Sequence, residues 1–158
     1  MDKISYEAIK LAFVGDSEIQ YNCDPDNPDK SEIGIVDDVY KKLIEYEDLF
    51  IGNFVVLNDG GKDVGFIYCL PNLLVSFGVN KLHRTKEFLP KVFETIQKVA
   101  GDEFEVYMWS RNKRAIKWLK RCGMQEQYFE NKEIKKLRYN ASYNRLNSGR
   151  GIGTLSGD

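Results

Sequence analysis

Val106-Tyr107-Met108-Trp109-Ser110-Arg111-Asn112-Lys113-Arg114-Ala115-Ile116-Lys117-Trp118-Leu119-Lys120-Arg121-Cys122-Gly123-Met124 is the stretch of this 158-residue chain on which the reading of its fold turns. Val106 to Trp109 end a β-branched and aromatic run that begins at Phe104, the composition of a strand. Ser110 makes a turn. From Arg111 to Arg121 the period changes. Ala115, Trp118, Leu119 and Cys122 recur at i, i+3, i+4 and i+7, the buried stripe of an amphipathic helix that Gly123 stops. Arg111, Lys113, Arg114, Lys117, Lys120 and Arg121 fill the other positions and read as a solvated basic face.

Upstream, Phe88, Leu89, Val92, Phe93, Ile96 and Val99 form the apolar face of a helix running from a Thr85 cap to residue 100. Pro90 fits only if it lies in the first turn. Residues 50–58 and 63–70 are two strands around Asp59-Gly60-Gly61, a hairpin, and residues 73–79 read as a third strand after Pro71. Residues 5–13 and 33–47 have helical spacing, with Ser31 capping the second. Between them, Asp24, Asp26, Pro25 and Pro28 mark a loop that lacks the glycine and glutamate of a calcium loop. Downstream, 124–129 and 134–139 are two weaker strands. Two helices, a hairpin, a third strand, then helix–strand–helix predict an α+β fold. Its sheet is mixed and partly antiparallel, with helices against it and one parallel pair in the middle.

Composition narrows the rest. Hydrophobic residues make up 42%, enough for a folded core, and the net charge of −1 selects no partner by itself. Cys23, Cys69 and Cys122 are far apart and odd in number, which predicts free, mostly buried thiols and a cytoplasmic setting. With a single histidine, His83, no metal site is expected. No apolar run has membrane-spanning length. Residues 1–139 read as one domain and 140–158 as a Gly/Ser/Asn-rich extended tail. Arg150-Gly151-Ile152-Gly153-Thr154-Leu155 looks like a phosphate loop, but no strand precedes it and no helix follows, so it reads as tail composition.

The late strand and helix resemble those of the GNAT acyltransferase superfamily, whose pattern Asn-x-x-Ala-Ile-x-φ-Tyr-x-x-x-Gly-Phe is matched by Asn112, Ala115, Ile116, Trp118, Gly123 and Met124. Within it, Leu82-His83-Arg84-Thr85-Lys86-Glu87-Phe88-Leu89 is similar to small phage-encoded, virion-associated members. The resemblance implies a GNAT-like fold over most of 1–139, and coenzyme contacts at Lys81, Arg84, Lys86 and Asn112 if acetyl-coenzyme A binds. Two departures stand against catalysis. The segment Asn80–Lys86 has none of the glycines that let backbone amides approach a pyrophosphate, and Leu119 stands where the family has a tyrosine able to protonate the leaving thiolate.

The sequence alone therefore ranks first a non-catalytic interaction module, a phage virion-associated or structural assembly protein with no cofactor. Its partners would be other subunits, in a homo-oligomer or a larger assembly, and Tyr143, Leu146, Arg150, Ile152 and Leu155 are the side chains offered to them. Ranked second is an acetyl-coenzyme A-dependent N-acyltransferase acting on an amine, with Glu87 or Asp63 as base. Ranked third is nucleic-acid binding through the basic helix 111–121.

Overall fold

Serine caps start the first two helices, as the sequence predicts. Ser5 Oγ accepts the Ala8 amide at 3.1 Å and opens α1 (Tyr6–Phe13); Ser31 Oγ accepts the Gly34 amide at 3.0 Å and opens α2 (Glu32–Leu49). The computed structural model describes residues 3–16, 18 and 30–148. Cys23, Asp24, Asp26, Arg150, Ile152 and Leu155 lie outside them. The chain continues through β1 (Asn53–Asp59), β2 (Lys62–Leu70), β3 (Leu73–Val79), α3 (Leu89–Ala100), β4 (Glu103–Trp109), α4 (Lys113–Arg121), β5 (Gln125–Gln127), β6 (Ile134–Asn140) and α5 (Ala141–Ser148).

The six strands form one sheet in the order β1-β2-β3-β4-β6-β5. Every neighbouring pair is antiparallel except β3 and β4, the parallel pair that a strand–helix–strand connection requires. Helices cover both faces. On one, Val92, Phe93 and Ile96 of α3 and Ile116 and Leu119 of α4 pack on Ile67, Leu74, Phe104 and Val106. On the other, Ile9 and Phe13 of α1 and Ile35, Val36 and Leu43 of α2 pack on Phe54, Phe66 and Tyr68. That second layer reaches only β1 to β3. The fold is α+β, mixed and mostly antiparallel, as the sequence predicts.

Several boundaries move, each for a local reason. The strand expected from Phe50 starts at Asn53, because α2 runs to Leu49 and the Phe50 amide still donates to the Tyr46 carbonyl at 2.7 Å. The helix expected from Thr85 starts at Leu89. Thr85 Oγ1 and its carbonyl accept the amides of Phe88 and Leu89 at 3.1 and 3.0 Å, making one turn before the helix, and Pro90 falls in the helix's first turn. The helix expected from Arg111 starts at Lys113, and the strand over 124–129 shrinks to three residues.

The tail drawn from Asn140 begins instead with the end of β6 and a helix. The Ala141 amide donates to Asp102 (2.9 Å), Asn140 Oδ1 accepts the Tyr143 amide (3.0 Å), and Asn144 Nδ2 donates to the Gly123 carbonyl (3.1 Å). Gly123, at φ 106°, leaves the room for that contact, since a Cβ there would come within 2.2 Å of Asn144 Nδ2. Among the described residues no helix is long and apolar enough to cross a membrane, and no three His, Cys, Asp or Glu residues gather as a metal site would need.

Candidate functional site

β3 and β4 pair only at Leu73–Glu105 and Leu74–Val106, then separate. The cause lies on the other side of β3. Tyr68 faces Ser76 while Cys69 faces Leu74, so Val75 is an extra residue, a bulge that bends the strand. Beyond it β3 stays with β2 as far as Gly65–Val79, whereas β4 stays with β6 as far as Trp109–Ile134. A cleft of about 640 Å³ opens between them, lined by Val75–Val79 of β3 and Val106–Trp109 of β4. The β3 peptide groups that face it past Leu74 have no strand partner.

The cleft passes through the sheet. On the α3/α4 side it is lined by Leu89, Ala115 and Trp118, with the Trp118 ring 5.8 Å from that of Phe77. On the α1/α2 side it is lined by Phe13, Val39 and Lys42. Ser76 shares this second face with its partner Tyr68, which belongs to the α1/α2 core. Tyr107 and Trp109 alternate with Val106 and Met108, which pack towards α3 and α4, and so turn to the second face as well. Gly78 closes the floor under α1, where a Cβ would meet the Phe13 ring at 2.8 Å and Ala12 Cβ at 2.9 Å.

Charge gathers at the C-terminal ends of β3 and β4. Arg84, in the turn after β3, donates from Nε to the Val79 carbonyl (2.9 Å) and from Nη2 to Asp16 (2.7 Å). Burial would raise the Asp16 carboxyl; the Arg84 hydrogen bond, the Glu18 amide and the charges of Arg84 and Arg114 outweigh it and hold the pKa below the usual carboxylate value. Arg114 pairs with Glu18 at 3.3 Å. Asn112 precedes α4 without capping it by side chain, and it lines the cleft together with Arg114, Lys117 and Arg121.

The glycine-free turn is built from its own side chains. Asn80 accepts the Leu82 amide and donates to the Leu11 carbonyl, a one-turn 3-10 helix spans Lys81–His83, and His83 Nδ1 lies 2.9 Å from Asp59. Among the described residues, the amides of Thr85, Lys86 and Glu87 make no hydrogen bond. Thr85, Lys86 and Glu87 are exposed, so the lack of glycine has not buried this turn.

Of the residues singled out from sequence, Arg84 and Asn112 line the cleft, and Lys81 and Lys86 stand exposed on the turn beside it. Glu87 is exposed on that turn, and Asp63 is exposed on β2, accepting from Asn58 Nδ2 at 3.2 Å; neither lines the cleft, so neither is placed to act as base within it. Tyr143 and Leu146 are exposed on α5. Leu119 is wholly buried in the core under α4 and does not line the cleft. Cys69 and Cys122 are free, with thiols pushed up to about 12 by burial. The sequence reading passes over Tyr107, Trp109 and Lys42. It also takes Arg114, Lys117 and Arg121 for a solvated face, although their i, i+3, i+7 spacing puts them on one side of α4.

No protein-family model and no curated protein matches this sequence. Solved structures do share its architecture. An acetyltransferase from Thermus thermophilus matches with a TM-score of 0.63 at 10% identity, over 84% of this chain and 88% of that one. The PaiA N-acetyltransferase of Thermoplasma acidophilum, solved in complex with coenzyme A, matches with a TM-score of 0.60 at 12% identity, over 88% and 96%. The GNAT domain of S. lividans PAT matches with a TM-score of 0.59 at 15% identity, over 86% and 84%. The chain has the GNAT fold.

Proposed function

We propose, on the premise of that fold, that the protein is an acyl-coenzyme A-dependent N-acyltransferase. The observation that carries this reading is the parting of β3 and β4 at the Val75 bulge, which leaves strand-edge peptide groups facing an open cleft. The sequence alone ranks a non-catalytic assembly module above the enzyme; the cleft and the likeness to solved acetyltransferases reverse that order. The expectation of no cofactor gives way with it, in favour of acetyl-coenzyme A as the donor substrate.

The residues present suit such a donor. Its phosphates would meet the open amides of Thr85, Lys86 and Glu87 at the start of α3, with Lys81 and Lys86 beside them. Lys117 and Arg121 add positive charge along α4. The narrow pantetheine arm would lie between the strands against Phe77, Trp118 and Asn112. The thioester carbonyl would accept from the unpaired edge of β3 near Ser76–Val79, where developing negative charge on its oxygen is stabilised.

With the donor on the α3/α4 side, the amine arrives from the α1/α2 side. Its nitrogen attacks the thioester carbon, a C–N bond forms, the C–S bond breaks, and the nitrogen's proton ends on the sulfur as a thiol. Leu119 cannot supply that proton; Ser76 and Tyr107 are hydroxyls that line the cleft. Asp16 is committed to Arg84, so the ammonium loses its first proton to water, helped by desolvation in the cleft.

The test is thiol release from acetyl-coenzyme A in the presence of a panel of primary amines, with mass spectrometry of the acylated product. Amine-dependent release supports the reading. Tight binding of the chain to other proteins with no thiol release would return the non-catalytic module to first place.

A further inference from the structure

The amine side of the cleft carries information about what the acceptor is. Its walls are apolar and aromatic: Phe13 and Val39 from the helices, Val75 from the bulge, and Tyr107 and Trp109 from β4. Tyr107 is 41% exposed, and its ring meets that of Phe129, 38% exposed, edge to face at 5.5 Å. α1 and α2 pack on β1 to β3 and leave this part of the sheet open, so the two rings form a shelf that runs from the cleft to the surface. Large aromatic surface left open to water beside a cleft is the usual platform for a flat apolar ligand.

The charges on the same side argue in the same direction. Among the described residues that line the cleft, the one carboxylate is Asp16, and Arg84 neutralises it. Lys42 lines the cleft, and Lys136 Nζ lies 5.8 Å from the centre of the Tyr107 ring while pairing with Glu105 at 3.0 Å. An acceptor with several ammonium groups would find no unpaired carboxylate among the described residues that line the cleft.

We infer that the acceptor is a primary amine carried on an aromatic body, which lies on Tyr107 and Trp109 with its nitrogen at Ser76. This rests on the acyltransferase reading and narrows it to a substrate class. The apolar walls disfavour the ammonium form, and so raise the share of free amine without a carboxylate base. The balanced reaction is one ammonium and one acyl thioester giving one amide, one thiol and one proton released to water.

The experiment compares 2-phenylethylamine, butylamine and spermidine as acceptors in the thiol-release assay, with acetyl-coenzyme A binding followed separately by calorimetry. Expected is a kcat/KM for 2-phenylethylamine about tenfold or more above that for spermidine. In Trp109→Ala the KM for 2-phenylethylamine rises about tenfold, and in Tyr107→Ala it rises similarly. Retained acetyl-coenzyme A binding shows that each variant is folded. Preference for spermidine, an unchanged KM in both alanine variants, or donor binding with no turnover of any of the three amines overturns the aromatic acceptor alone. Absence of donor binding overturns the acyltransferase reading and this inference with it.

Discussion

Arg84 Nη2 and Asp16 Oδ2 lie 2.7 Å apart across 68 residues of chain, and their ion pair ties the turn that leads into α3 to the segment that leaves α1. Asp16 is nearly buried, with 8% of its side chain exposed, while Arg84 keeps 24%. Asp16→Asn removes the charge that holds Arg84 at the mouth of the cleft. Breaking a fully buried pair costs about 3–5 kcal/mol; with Arg84 partly in water, about 2 kcal/mol is expected, read as a shift in the urea midpoint. The pKa of Asp16 is depressed in the folded state, so its contribution is present above the ordinary carboxylate range and is lost as the pH falls through the lower folded value. The wild type should therefore lose stability below about pH 4 more steeply than Asp16→Asn.

Gly78 lies where β3 forms the cleft wall, close under α1. Gly78→Ala sets a Cβ 2.8 Å from the Phe13 ring, and ring and helix must shift together. The expected cost is about 1–3 kcal/mol by chemical denaturation, with weaker acetyl-coenzyme A binding as the wall deforms.

Much of the fold is legible in the sequence because it depends on local pattern. The switch from strand to helix period at Ser110, the Asp59-Gly60-Gly61 turn and the serine caps each involve near neighbours. The site is far less legible. The bulge at Val75 exists only in the register between β2 and β3, and the cleft exists only because β3 and β4 then follow different partners. Arg84 can be suspected from its turn, but Asp16, its partner, sits at a separation that no periodicity reports. The absence of glycine is plain in the sequence, yet its consequence is not: Thr85, Lys86 and Glu87 leave their amides open without it.

Leu119 occupies the position of a reactive tyrosine in the resemblance, yet here it is a core residue. Leu119→Tyr forces a larger, polar side chain into a filled space. A loss of about 1–3 kcal/mol is expected, with no gain in turnover, since the new hydroxyl would not reach the cleft. Increased turnover in that variant would show that α4 is set differently from the arrangement described here.

Cys69 and Cys122 should be inert in the native protein. With thiols pushed up to about 12, almost no thiolate exists at about pH 8. Mass spectrometry after treatment with a disulfide reagent should find both unmodified until the chain is unfolded in guanidinium. Rapid native modification of either would contradict their burial.

An acyl-coenzyme A held in the space between β3 and β4 is what the proposed chemistry requires. Calorimetric titration of the full chain with acetyl-coenzyme A tests it most directly. Saturable one-site binding in the micromolar range is expected, weakened in Asn112→Ala and in the charge reversal Lys86→Glu. Absence of binding heat at millimolar donor, with the protein folded, would contradict it.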